Sequence, residues 1–567
     1  MRTEAEIAEA KDKWYSAAYS STVVAGVFVA VTAAVLFVSY LQIKVVVPLR
    51  EERLEAMKLR IVETPNDEKL LGDIRQLDLE VRRSRTRHHV LVARSGVLIL
   101  CGLVVFVVCI KITVNLSRKL PYPQGHPDTH KEQIQQASFA RWATAGGLGV
   151  IGLFVLILAI RPVTDFNQTE AIAPPFASAE EIAANWPCFR GPGGVGVSKF
   201  ANIPTTVDGV LWKTEVPGKG FSSPIVWGDK VFLSSGDTEK LDVSCFDIAT
   251  GRMLWDGDVP STALDKVTYQ ADTGFAASTM ATDGRRVYAI FATGDIAAFN
   301  FAGEHLWAFS LGVPDSTYGY ATSLIMYKNT LIVQYDHGGT GDDLSRLIAI
   351  DGFSGRTIWE TKRPVPGSWT SPIIVETGKG LQLITCADPW IISYNPVDGK
   401  EIWRADCLGT DPAPSAVFAD EMIFAVHPYS KLVAVKTDGT GDVTKTHIAW
   451  TADEGIPDIC SPLADGKRVY MLTSDGYLTC YGVADGKMVF DKDIELSFFA
   501  SPSLVADKVY LLDEDGELIV FTSGDEYKEV ARSKLGEKCY ASPAFVDGRI
   551  FIRAEKNLYC IGNKVSD

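Results

Sequence analysis

The stretch Ser223-Pro-Ile-Val-Trp-Gly-Asp-Lys-Val-Phe-Leu233 decides the fold. It reads as a serine-led apolar strand, a Gly-Asp turn and a second apolar strand, which is a hairpin signal. The pattern returns at Ser542, where Val546-Asp-Gly-Arg-Ile-Phe-Ile supplies the turn and second strand. Between them the same serine recurs as Ser278, Ser323, Ser371, Ser415, Ser461 and Ser501, giving eight in all. Five are followed by proline: Pro224, Pro372, Pro462, Pro502 and Pro543. A repeat of about 40–55 residues governs everything C-terminal of residue 185 and must be read before any local motif.

A second marker ends the units. Asp247, Gly251 and Trp255 are spaced by four and four, and Asp351, Gly355 and Trp359 repeat the spacing. Asn395, Gly399 and Trp403 keep it, and Asn300, Gly303 and Trp307 approximate it. Trp450 and Phe490 hold the aromatic place in later units, and the seventh unit lacks it. The Asp/Asn-to-Gly step reads as a turn between the two outer strands, with glycine supplying positive φ. The tryptophan then fills the wedge between neighbouring units.

These features predict an all-β, eight-bladed propeller over 185–567, with four-stranded antiparallel blades. The last unit, Ser542–Gly562, has three strands. The missing fourth lies upstream in Gly209–Val216, with Trp212 in the aromatic place. Pairing the two chain ends in one blade closes the ring and removes an open sheet edge.

Outward from the repeat, composition divides the chain. Residues 1–161 carry 21 Lys/Arg against 15 Asp/Glu, whereas 162–567 carry 34 against 55. A strongly acidic C-terminal part argues against a nucleic-acid partner, whose phosphates need a basic face. Three apolar runs, about 17–43, 95–114 and 142–160, are expected to span a bilayer, which takes about 20 residues. Leu70, Ile74, Leu77 and Val81 form one apolar stripe, so about 50–89 reads as a helical hairpin between the first two spans. Residues 162–184 read as a linker.

Orientation is contested within the sequence. The stretch 44–94 has 12 Lys/Arg, against eight in the N-tail and 111–141 together. That count favours a cytoplasmic hairpin. Several of those cations are spaced to pair with acids along the helix, as Asp78 and Arg82 are, which weakens the count. The expectation is a multi-pass protein of a bacterial inner membrane with a periplasmic propeller.

The repeats resemble those of quinoprotein-like propellers, named for pyrroloquinoline quinone enzymes and including BamB-like members. The segment Asn185-Trp-Pro-Cys-Phe-Arg-Gly-Pro-Gly-Gly-Val-Gly-Val-Ser198 resembles the opening of bacterial PQQ-binding-like β-propeller repeat proteins. The resemblance covers 185–567 and implies an exported propeller. Its dehydrogenase branch implies an adjacent-cysteine disulfide, an acidic base, and calcium held by Glu and Asn. No adjacent cysteines occur here, and no catalytic residue, cofactor ligand or metal ligand carries over.

Connections into the serine-led strands should gather on one face around the axis. They carry Phe221, Phe275, Tyr320, Trp369, Phe499 and Tyr540, with the acids Asp272, Asp315, Asp411 and Asp458, and Glu495 and Glu537 beside them. Such a funnel suits a basic or extended peptide, or a cation. The same aromatics also suit gaps between blades, and the acids suit solvated loops. The serines read as strand-start hydrogen bonders, since no histidine lies at a repeated position to activate one. The function expected is a membrane-anchored, non-catalytic scaffold, or a subunit of an envelope or respiratory complex. A redox protein using pyrroloquinoline quinone with calcium, and a ligand sensor, are the alternatives.

Overall fold

The computed structural model describes residues 4–41, 102, 105–114, 117, 176–409 and 411–563. The chain divides into two compact units, Met1–Thr169 and Glu170–Asp567.

In the first unit a helix runs from Glu4 to Leu41, and Lys13–Ala33 within it is long and apolar enough to cross a membrane. It starts well before residue 17, because the charged N-tail continues the helix. Val105–Val114 is a shorter apolar helix. The two approach closely at glycines: a Cβ on Gly26 would lie 3.2 Å from Phe106, and one on Gly102 would lie 2.8 Å from Val29. Small residues permit such approach between apolar helices. Among the described residues one helix, not three, meets the length for a span. The run 142–160 and the hairpin 50–89 lie outside the described residues.

The second unit holds eight sheets. Blade 1 comprises Ile225–Trp227, Lys230–Gly236, Leu241–Asp247 and Met253–Asp258, hydrogen-bonded in that order from the inside outwards. Blades 2 to 7 repeat this antiparallel order, beginning at Ala281, Ile325, Ile373, Val417, Leu463 and Ser503. Blade 8 comprises Ala544–Val546, Arg549–Arg553 and Asn557–Gly562, and its fourth strand is Val210–Glu215. The fourth strand pairs antiparallel with the third, Trp212 opposite Cys560 and Glu215 opposite Asn557.

Burial follows position in the blade. Second and third strands are covered on both faces by the adjacent blades, so they read as nearly unbroken apolar runs, as in Arg286–Ile290. Fourth strands face solvent and alternate, as in Thr357–Lys362. Every blade has a register shift where the fourth strand leaves its turn, just before the aromatic position. One extra residue there re-aims the next side chain, which is the tryptophan in six blades. Opposite it sits a small residue on the third strand: Cys560, Cys245, Ala298, Ala349, Ser393 or Ala434. Blade 7 has Ala531 in the aromatic place and the larger Val520 opposite. Volume is thus roughly conserved across the pair, which is why cysteines recur at one place in the repeat without forming disulfides.

The tryptophans reach the following blade. Nε1–H of Trp212, Trp255, Trp307 and Trp450 donates to the carbonyls of Ile248, Phe301, Gly352 and Val483, at 2.9–3.1 Å. Their rings lie over Gly251, Gly303, Gly355 and Gly486, each at positive φ. Trp359 covers Gly399 in the same way, but its Nε1–H has no hydrogen-bond partner. Trp403 departs from the pattern: it is fully buried and donates to Gln382 in its own blade at 2.9 Å. Beside it Gly441–Asp442 adds a parallel fifth strand to blade 4.

Part of the expected linker is structured. Ser178 and Glu181 form a reciprocal capping box at the start of the short helix Ala179–Ala183. Ala177 N–H donates to Asp283 in blade 2 at 3.1 Å.

Candidate functional site

The site lies on the propeller axis. Each blade's innermost strand has an open edge towards the axis, so its first N–H needs a partner from outside the sheet. The next blade supplies a hydroxyl. Ser223 N–H donates to Thr279 Oγ1 (3.0 Å), Thr279 to Ser323 (3.1 Å) and Ser323 to Ser371 (3.0 Å). The relay continues through Ser415 (2.8 Å), Ser461 (3.0 Å), Ser501 (3.0 Å) and Ser542 (2.9 Å). In blade 2 the relay position is Thr279 and not Ser278, whose Oγ makes only a 3.4 Å bond to Tyr320 O. Proline after the serine places a residue without an N–H on the open inner edge.

Because all inner strands run the same way, second-to-third and fourth-to-next-first connections emerge on one face. First-to-second and third-to-fourth turns emerge on the other. The relay surrounds a cavity of about 140 Å³, walled further by Ala277, Ala321, Ala413 and Ala541. Phe221, Trp369, Phe499 and Tyr540 line it at the first face, each two residues before a relay serine. Phe221 and Phe499 both meet Tyr540 edge-to-face at 5.4 Å. Trp369 meets Tyr318 in the same manner at 5.1 Å.

Phe275 and Tyr320 do not join this mouth. Both are buried, Phe275 against Tyr269 at 4.6 Å and Tyr320 stacked on Tyr335 at 5.2 Å. Asp272, Asp315 and Asp411 are exposed, as is Glu495. Asp458 is half-buried and accepts from Ser474 N–H (3.2 Å), Ser474 Oγ–H (2.7 Å) and Tyr429 O–H (3.2 Å). Glu537 is structural. Burial opposes its ionisation, but hydrogen bonds from Tyr559, Lys556 N–H and Asn557 hold its carboxyl below the usual range. Sequence reasoning missed Ile459, which holds the place two residues before Ser461, and Tyr318 and Tyr429, which lie off the repeated positions.

The opposite end of the cavity is closed by the segment 185–198, and Phe189 lines the cavity from that side. Trp186 exchanges backbone hydrogen bonds with Val226 in blade 1 and meets Phe545 of blade 8 at 5.3 Å. Pro187 O accepts from Thr282 N–H in blade 2. Gly194 lies against Ile325 and Ile373 of blades 3 and 4. Arg190 Nη2 donates to Pro462 O of blade 6 at 2.6 Å, and Val197–Ser198 pairs in parallel with blade 7. The glycines are sterically required here: a Cβ on Gly191, at φ +72, would lie 2.8 Å from the Trp186 ring. Burial pulls the Arg190 guanidinium down to about 9.

One buried ion pair inside the propeller is committed to packing. Arg363 is fully buried, paired in a fork with Asp336 at 2.7 and 3.0 Å, and further bonded to Thr385 and Tyr394. Burial opposes its charge, yet Asp336 keeps the guanidinium above its ordinary value. The described cysteines are all free. Burial pushes Cys188, Cys245, Cys386, Cys407, Cys480, Cys539 and Cys560 up to about 12, away from thiolate reactivity.

Pyrroloquinoline quinone carries three carboxylates and, in its enzymes, sits with a metal cation. The cavity walls contain no Lys or Arg to receive carboxylates. Among the described residues no group of three His, Cys, Asp or Glu is placed to hold a metal. The residues present do not fit the group.

Fold and axis together define an eight-bladed β-propeller, in a chain that also carries an apolar N-terminal helix. The family model described as outer membrane protein assembly factor BamB matches residues 199–322 and 442–526. No curated protein matches the chain by sequence. Among solved structures, the chain is similar to quinohemoprotein alcohol dehydrogenase from Comamonas testosteroni: 13% identity, TM-score 0.53, covering 68% of this chain and 81% of that one. It is similar to quinohemoprotein alcohol dehydrogenase ADHIIG from Pseudomonas putida HK5, at 11% identity and TM-score 0.53, covering 70% and 83%. BamB from Moraxella catarrhalis matches at 13% identity and TM-score 0.46, covering 63% and 99%. At these identities the likeness to the dehydrogenases is one of fold.

Proposed function

We propose that this protein is a membrane-anchored, non-catalytic propeller that holds a partner protein at its axial mouth, as a scaffold or subunit of an envelope or respiratory complex. In this reading three N-terminal spans anchor it in the inner membrane and the propeller is periplasmic. Val210–Glu215 in blade 8 locks the ring shut. The observation that carries the reading is a blind axial cavity: aromatic at one end, sealed by 185–198 at the other, and walled by alanines and committed hydroxyls. About 140 Å³ is below the range of small-molecule sites, about 300–1,000 Å³, but has room for a side chain projecting from a partner. The relay hydroxyls are structural acceptors with no base beside them, which favours binding over nucleophilic chemistry.

The test is site-specific photo-crosslinking in membranes. A photoreactive phenylalanine analogue at Tyr540 should give a discrete adduct, whereas one at exposed Val397, on the opposite face, should not. Equal labelling at both positions would defeat the reading. So would alcohol-dependent dye reduction by the purified chain supplied with the quinone and calcium.

A further inference from the structure

We propose that the partner segment seated at the mouth is cationic, rich in Lys or Arg interspersed with apolar side chains. This rests on the proposed binding role of the mouth and names the chemistry of what binds there.

The first observation is a charge asymmetry between the two faces. Connections on the mouth face carry 20 Asp/Glu against 6 Lys/Arg. Turns on the opposite face carry 14 against 10. A uniform acidic surface, kept only for solubility, would not concentrate its excess at the end where the cavity opens. Such a field attracts cations and repels phosphate-bearing surfaces, whether nucleic acid or anionic lipid.

The second observation is an exposed aromatic ledge on the same rim. Tyr429 is 82% exposed, Ile459 39% and Tyr318 37%. Tyr429 stands at a loop tip with φ +58, a conformation a non-glycine residue seldom adopts, and its hydroxyl is tied to Asp458. Tyr318 leans on Trp369, which lines the cavity. Large rings held in water beside carboxylates make a surface for cations: ring faces accept ammonium or guanidinium groups, and the acids balance the charge. Apolar side chains between those cations would cover Ile459 and enter the cavity.

The test uses the full chain in nanodiscs of zwitterionic lipid. Two fluorescent 12-residue peptides serve as probes, one alternating Lys and Gly around a central Leu, the other with Glu in place of Lys. Anisotropy should show binding of the Lys peptide alone. Its affinity should fall at least tenfold between about 50 and about 300 mM salt, as screening removes the attraction. Trp369→Ala and Tyr429→Ala should each weaken it severalfold. Neutralising Asp272, Asp315 and Asp411 to Asn should weaken it, whereas neutralising Asp229, Asp438 and Asp507 on the other face should not. Circular dichroism confirms that each variant is folded. Absence of binding, equal binding of the Glu peptide, or equal effects of the two neutralised sets would overturn the proposal. A discrete crosslink at Tyr540 alongside any of those results would leave the binding role standing and remove only its cationic partner.

Discussion

The ring of Trp255 lies against Gly303 of the next blade so closely that a Cβ there would sit 2.7 Å from it, and the indole N–H donates to Phe301 O at 3.1 Å. The Asp/Asn-to-Gly turn therefore has two uses. It closes its own blade's outer hairpin, and it is the landing surface for the preceding blade's tryptophan. Trp255→Ala and Trp359→Ala should each cost roughly 3–5 kcal/mol, the range for emptying a large aromatic site. Phenylalanine separates packing from hydrogen bonding. Trp255→Phe loses a bond worth about 1 kcal/mol, while Trp359→Phe removes an indole N–H that has no partner and should be the milder change. Chemical denaturation measures both, and equal costs would contradict the assignment.

The relay position in blade 2 is testable by neighbouring substitutions. Thr279→Ala leaves the buried Ser223 N–H without its acceptor, at a cost of about 1–3 kcal/mol. Ser278→Ala removes only a long bond to Tyr320 O and should be nearly silent. Ser461→Thr should be tolerated better than Ser461→Ala, because threonine already holds this place at 279. A larger loss for Ser278→Ala than for Thr279→Ala would show that the register is misassigned.

Truncation after Asp547 should abolish cooperative folding of the propeller rather than trim it. The deletion removes Arg549–Arg553 and Asn557–Gly562, and strips Val210–Glu215 of the strand it pairs with. The exposed sheet edges would then invite aggregation. A soluble truncation with a sharp melting transition would count strongly against ring closure by these strands.

Alkaline pH should destabilise the protein. The ordinary thiol value is 9.0, and burial raises seven of the cysteines to about 12. Between those values the unfolded chain sheds thiol protons that the native state keeps. The native state then binds more protons, so stability falls as pH rises through that window and is unaffected by these groups below it. The melting temperature should be flat from about pH 7 to 8.5 and decline above about 9. In the native protein the propeller cysteines should resist a thiol reagent at pH 8 and react on unfolding. A rapidly labelled propeller thiol would refute the burial argument.

The repeat was legible because each blade solves the same local problem. An inner strand must start with a hydroxyl or lose a hydrogen bond. An outer hairpin must turn at a glycine that also lies under a ring. A third strand must offer Cys, Ala or Ser opposite a tryptophan. Such requirements act over a few residues and recur at a fixed spacing, so Ser371, Gly355 and Trp359 announce their places without a structure. The segment 185–198 was recognisable only as a motif. That it crosses the axis and closes one end of the cavity depends on contacts with seven blades, most of them far from it in sequence.

The offset that selects the mouth residues was decided by tertiary structure. Phe221 and Trp369 stand two residues before a relay serine, whereas Phe275 and Tyr320 stand four and three before Thr279 and Ser323, and the place two before those holds Ala277 and Ala321, which line the cavity. Tyr320 is buried in a stack on Tyr335, and Phe275 packs against Tyr269 of its long preceding connection. Phe221 and Phe499 have Tyr540 beside them at the axis instead. By itself the sequence determined the number of blades, the shared last blade and the packing markers. That Thr279 replaces Ser278 in the relay, and that 185–198 closes one end of the cavity, depended on contacts between different blades. Those contacts are set by loop length and by what the neighbouring loop presents, and no local period encodes them.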